Sequence, residues 1–78
     1  MPTIKDIRGP YRFFFYSFDC NEPRHVHVKR DRKTCKFWID PISLCKNWEF
    51  SPHELNQIHN LIQTHYVTLV EAWHEHCG

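Results

Sequence analysis

Only two of the seventy-eight residues are glycine, Gly9 and Gly78. Loops that cradle phosphate need several glycines for close backbone approach, so a phosphate-binding loop of that kind is excluded. A nucleophile elbow and a paired-carboxylate motif are absent as well. No apolar run approaches the ~20 residues that span a bilayer. The opening Met1-Pro2-Thr3-Ile4-Lys5-Asp6 lacks the apolar segment of a secretory signal. The expectation is a cytoplasmic protein with no membrane partner. No CxxC pair occurs, which excludes a zinc ribbon or a thioredoxin-type motif. The four cysteines, Cys20, Cys35, Cys45 and Cys77, are scattered. Without a signal peptide they read as four reduced thiols, more in the manner of small core residues than of ligands.

What the chain does have is aromatic bulk. Phe13, Phe14, Phe15, Phe37, Trp38, Trp48 and Trp73 can each bury a large area, which a chain this short needs. The length allows one domain, 1–78. Net charge is +1, but it is unevenly spread. Residues 1–40 hold nine Lys/Arg against five Asp/Glu, and residues 41–78 hold one against four. The basic half suits an anionic partner, or the two halves attract each other.

Local patterns place a β part in 1–48 and a helical part in 51–77. Thr3 to Ile7 reads as a short strand, and Gly9-Pro10 as a turn. Tyr11 to Ser17 is a strand by aromatic propensity, and Asp19 to Pro23 is turn chemistry. His25 to Lys29 alternates with period two. Arg30 to Lys33 makes a charged turn, Cys35 to Asp40 a strand, and Ile42 to Cys45 a further short one after Pro41. Short connections favour an antiparallel meander. Ser51-Pro52-x-Glu54 then spells a capping box with proline at the first helical position. The stripe Leu55, Ile58, Leu61, Ile62, Leu69, Val70, Trp73 predicts a helix that breaks near His65, where β-branched and aromatic residues crowd. The predicted fold is α+β: a small, curled antiparallel meander of three to four strands followed by two C-terminal helices, or one broken helix.

Alternation assigns faces. Val26, Val28, Cys35, Phe37 and Ile39 point to the core. The opposite face then collects Arg12, Phe14, Tyr16, His25, His27, Lys29, Lys36 and Trp38. Cations, imidazoles and flat rings suit a stackable, anionic partner such as single-stranded RNA. Equally, the aromatics of that face could lie beneath the helices with the cations as a rim.

His25 and His27 point the same way, ~7 Å apart along the strand. They fit acid and base roles, both titrating near neutral pH. They also fit a metal, but only two ligands converge, so zinc binding is expected to be weak or intermolecular. The third reading is a pair of ordinary half-exposed histidines. On a helix, the His74-Glu75-His76-Cys77 tract splits its ligands between sides and is a weak metal signal. No cofactor is implied.

Met1-Pro2-Thr3-Ile4, Gly9-Pro10-Tyr11-Arg12-Phe13-Phe14-Phe15-Tyr16-Ser17, Glu22-Pro23 and His25-Val26-His27-Val28 resemble a bacterial family of unknown function, number 4160 of the domains so designated. Lys36-Phe37-Trp38, Phe50-Ser51, Glu54-Leu55, Ile58 and Leu69-Val70-Glu71-Ala72-Trp73 resemble its tail. Arg24 departs from the family pattern, which has a second proline there. The resemblance implies a small bacterial protein, often encoded beside a protein of the family numbered 2442, in a two-gene arrangement like a toxin–antitoxin module. It supplies no established activity.

The combined expectation is a toxin–antitoxin-like component that binds or cleaves RNA. His25 and His27 would serve as acid and base, Arg12, Arg24, Lys29 and Lys36 would hold phosphate, and Trp38 would stack a base. The alternatives are a non-enzymatic protein-interaction module and a metal-binding protein using His25 and His27. Candidate partners are RNA, a small protein from a neighbouring gene, and a second copy of the chain.

Overall fold

Strand pairing centres where the alternation is cleanest. In the computed structural model, which describes Ile4, Ile7 and residues 9–78, β2 (His25–Arg30) pairs antiparallel with β3 (Lys33–Ile39). On either side lie β1 (Arg12–Phe14) and β4 (Ile42–Trp48), giving a four-stranded antiparallel meander in the order β1-β2-β3-β4. The α+β class and the strand-then-helix order are as the sequence predicts. The expected strand at Thr3 to Ile7 lies largely outside the described residues. Ile4 itself donates its N–H to the Phe13 carbonyl at 2.9 Å.

Two strands differ from expectation for physical reasons. β1 stops at Phe14 instead of running to Ser17. The Tyr16 N–H is taken by the Asp19 carboxylate at 2.8 Å, and the chain turns into a single 3-10 turn at Asp19–Asn21. β4 runs on to Trp48 instead of stopping at Cys45. A register shift at Lys36/Phe37 makes Cys45 the extra residue, which breaks the period-two pattern that would announce Lys46 and Trp48. Asp31, in the β2–β3 turn, has φ +56°, a left-handed conformation that a short polar side chain tolerates.

After β4, the Asn47 amide donates to the Phe50 carbonyl (3.0 Å) and accepts from the Phe50 N–H (3.2 Å), shaping the entry to α1 (Pro52–Thr64). The capping box is present in full. Ser51 Oγ accepts from the Glu54 N–H, and the Glu54 carboxylate accepts from the Ser51 N–H. The break falls at His65, after which α2 (Tyr66–Cys77) begins. Both helices lie against the inner face of the sheet. Ile58, Ile62, Leu69 and Trp73 close over Phe13, Phe15, Val26, Val28, Cys35, Phe37 and Ile39 in one core. None of the described helices is long and apolar enough to cross a membrane.

Ile58 is completely buried at the centre of this core. Ile58→Ala should cost about 2–5 kcal/mol, from lost transfer energy plus the cavity left behind. Urea denaturation of the variant against wild type measures it, and a loss below about 1 kcal/mol would contradict this packing.

The Glu54 carboxyl is held below its usual value, chiefly by the hydrogen bond from Lys33. A depressed folded-state value means that its contribution is fully present above pH 4.5 and is lost as pH falls through the lowered value. Glu54→Gln should therefore flatten the acid limb of a stability–pH profile while leaving the neutral limb in place, as read by thermal melts across pH.

Candidate functional site

The register turns the outer face of the sheet into a grid. Arg12, Lys29, Thr34 and Trp48 lie abreast in one row, and Phe14, His27, Lys36 and Lys46 in the next. His25, Trp38 and Ser43 form the third. With the helices on the other face, the first two rows stand largely open. Lys29, Lys46 and Trp48 are exposed, and Phe14 is the buried member.

The third row is roofed at one end. Residues 15–24 leave the sheet and fold back over His25. The end of α2 meets them there, as His76 Nε2 donates to the Tyr16 carbonyl at 2.9 Å and Cys20 is disulfide-bonded to Cys77. His25 is therefore 0% exposed, flanked edge-on by Trp38 and Trp73. It shares the outer face with His27, as the alternation predicts, but it does not face solvent. The pair that alternation sends outward is one sealed ring and one partly open ring, because the turn at 19–23 carries a buried carboxylate that needs partners.

That carboxylate is Asp19, whose place in the sequence is that of an ordinary turn residue. It lies 3.1 Å from His25 Nε2 through Oδ1 and 3.1 Å from His27 Nε2 through Oδ2. Its other contact is the Tyr16 N–H. Burial alone would raise its pKa, but the Tyr16 N–H and the two imidazoles outweigh it and hold the carboxyl below its usual value. Burial pushes His27 down, against the opposing pull of Asp19. The His27 ring is fixed by stacking on Phe14 and by an edge contact with Tyr16. His25 Nδ1 donates to the Pro23 carbonyl at 2.8 Å. The convergent set thus has three members, Asp19, His25 and His27, all with ligand atoms within 4.8 Å of one another. This corrects the expectation of two.

The remaining predicted residues are placed as follows. Lys36 lies across from His27, pairs with Glu22 at 2.5 Å and sits over the Trp38 ring. Arg24 reaches Asp40 at 3.7 Å, at the edge of the face. Arg12 lies over the Phe14 ring, and Lys29 is its cross-strand neighbour. Arg24 and Lys36 thus spend part of their charge on carboxylates of this chain. Two further open-face residues, Lys46 and Trp48, lie beyond the register shift, where the alternation no longer assigns faces.

The thiols also depart from expectation. Cys20 and Cys77 are bonded, and Cys35 and Cys45 are free. A pairing across 57 residues leaves no local sequence signal. His76 lies beside the bonded pair and is occupied by the Tyr16 carbonyl.

These features define a small α+β domain with an open basic, aromatic sheet face and a buried Asp–His–His cluster at its margin. Residues 11–74 match the family described as Domain of unknown function (DUF4160), and the chain belongs to that family. No curated protein and no solved structure matches it.

The cysteine arrangement gives a countable outcome. Burial pushes the Cys35 thiol up to about 12, so a thiol reagent should modify only Cys45 in the native protein. Unfolding should expose one further thiol, and reduction two more. Reduction, or Cys77→Ser, should lower stability by about 2–4 kcal/mol through the freed loop-closure entropy. Four reactive thiols without a reductant would refute the pairing.

Proposed function

We propose that this protein is one member of a bacterial toxin–antitoxin-like pair and that it binds single-stranded RNA on the open face of its sheet. The observation that carries this reading is a pair of like-charge juxtapositions on one face. Arg12 stands opposite Lys29, and Lys36 opposite Lys46. Like charges directly across an antiparallel pair are destabilising. In each pair one lysine, Lys29 or Lys46, is exposed, and a polyanion lying across the face would offset the repulsion at both. Among the described residues, Lys29 and Lys46 have no carboxylate partner, which leaves them for phosphate.

Flat rings alternate with these cations. Trp48 is 54% exposed and borders a shallow depression of about 450 Å³ with Arg32, Thr34 and Glu49. Phe18 is 67% exposed and stacks on Tyr16. Bases splayed from a single strand stack on such rings whatever their sequence. Binding fits the geometry better than cleavage by an acid–base pair. His25 is sealed and cannot touch a substrate, so only His27 reaches the surface. A small protein from a neighbouring gene, as the family resemblance implies, would act by competing for this same face.

Fluorescence anisotropy with a labelled single-stranded RNA tests the reading. Affinity should fall with salt, with a log–log slope of about −0.7 per phosphate neutralised. Lys29→Ala and Lys46→Ala should each remove about one such increment. Trp48→Ala should weaken binding about tenfold, near the lower end of the ~1–3 kcal/mol that stacking contributes per base. Lys33→Ala, away from the face and paired with Glu54, should leave affinity unchanged. Binding that ignores salt and all three open-face substitutions would sink the proposal.

A further inference from the structure

The environment of His25 is unusual for a structural histidine. Its Nδ1 must carry the hydrogen that it donates to the Pro23 carbonyl, since a carbonyl only accepts. In the neutral ring that tautomer leaves Nε2 with a lone pair. Nε2 is fully buried, has no aligned hydrogen-bond partner among the described residues, and lies 3.1 Å from a carboxylate oxygen of Asp19. A lone pair held against a carboxylate in a dry site is repulsive. A proton on Nε2 would relieve the charge but would be out of line for a hydrogen bond. Buried polar atoms are left without partners only rarely, and coordination of an ion is one of the standard reasons.

We infer that Asp19, His25 and His27 form a binding site for a divalent transition-metal ion of the zinc class. Two imidazoles and one carboxylate are a recurrent donor set for such ions. Ligand atoms about 2.0–2.1 Å from a tetrahedral metal lie about 3.4 Å from one another. From the single oxygen Oδ1 of Asp19, His25 Nε2 lies at 3.1 Å and His27 Nε2 at 3.4 Å, and the three ligand atoms all lie within 4.8 Å of one another, so the donors are close to the spacing of ligands. The outer contacts are those of a metal site too. A ligating histidine characteristically donates its other ring N–H to a backbone carbonyl, as His25 does to Pro23. Asp19 is oriented by the Tyr16 N–H. Both rings are held by aromatic neighbours, His25 between Trp38 and Trp73, and His27 between Phe14 and Tyr16.

The site is asymmetric. Asp19 and His25 are sealed, while the His27 side chain retains 18% exposure toward the open sheet face. Three protein donors with the open side facing solvent leave a coordination position for water or an exogenous oxygen ligand. That is the pattern of a reactive site as opposed to a closed structural one.

The test uses the oxidised full-length chain, stripped with a chelator and titrated with Zn²⁺ by calorimetry, with bound metal counted by mass spectrometry. One ion per chain is expected. His27→Gln and Asp19→Asn should each weaken binding at least about 100-fold, since loss of even an outer-shell partner costs 10–100-fold. His25→Ala can simply fail to fold, so wild-type protein supplies the decisive reading. On adding Zn²⁺, the imidazole ¹⁵N resonances of His25 Nε2 and His27 Nε2 should shift, and those of His53, His59 and His74 should stay put. Substoichiometric zinc, or zinc binding that survives both substitutions, would overturn the inference. So would binding that is lost instead in Cys20→Ser/Cys77→Ser. RNA affinity measured with the chelator present reads the face independently of the ion.

Discussion

A buried carboxylate needs compensation, and that requirement shapes one whole end of this molecule. Asp19 is 3% exposed. The effective penalty for burying such a charge is several kcal/mol unless partners surround it. The partners come from two directions, the Tyr16 N–H from its own segment and the His25 and His27 rings from β2. Drawing the carboxylate down onto β2 ends β1 early, folds residues 15–24 over the sheet and seals His25. The Cys20–Cys77 bond and the His76–Tyr16 contact then fasten that segment to the end of α2. Asp19 thus ties the roof to β2, beside the His25–Pro23 hydrogen bond that joins the same two segments.

The same requirement divides the outer face into two environments. Under the roof the site is dry and aromatic. Beyond it Arg12, Lys29, Lys46 and Trp48 are exposed and the face is cationic. His27 sits on the boundary, stacked on buried Phe14 on one side and opposite Lys36 on the other. Two histidines two residues apart on one strand thus have different chemistries. The difference comes from a loop and not from the strand that carries them.

That contrast explains what could be read from the sequence. Signals confined to a few residues were legible: the Ser51–Glu54 capping box, the break at His65, and the alternation that sends Val26, Val28, Phe37 and Ile39 inward and His27, Lys36 and Trp38 outward. The facing of His25 with Trp38 and of His27 with Lys36 follows from that alternation plus a tight turn. Features made by closure in three dimensions were not legible. Asp19 has the spacing of an ordinary turn residue, and nothing local says that it is buried against β2. The Cys20–Cys77 bond joins distant segments. Lys46 and Trp48 fall on the outer face only because β4 carries one extra residue at Cys45, and one inserted residue reverses every face assignment beyond it.

The cluster and the open face are also electrostatically coupled. Asp19 contributes a charge of −1 at the margin of the face, beside the His27 end of the row that holds Lys36 and Lys46. A divalent ion held by the same three side chains would reverse that sign and leave a net +1 at the position where His27 reaches the surface. Interactions at such short range in a partly dry site are screened far less than those between exposed charges. The middle row would then read as cationic from His27 through Lys36 to Lys46. A phosphate lying along that row would meet the ion and the lysines together. Occupancy of the buried cluster would therefore set how strongly the open face attracts a polyanion, without any change in the fold that carries it.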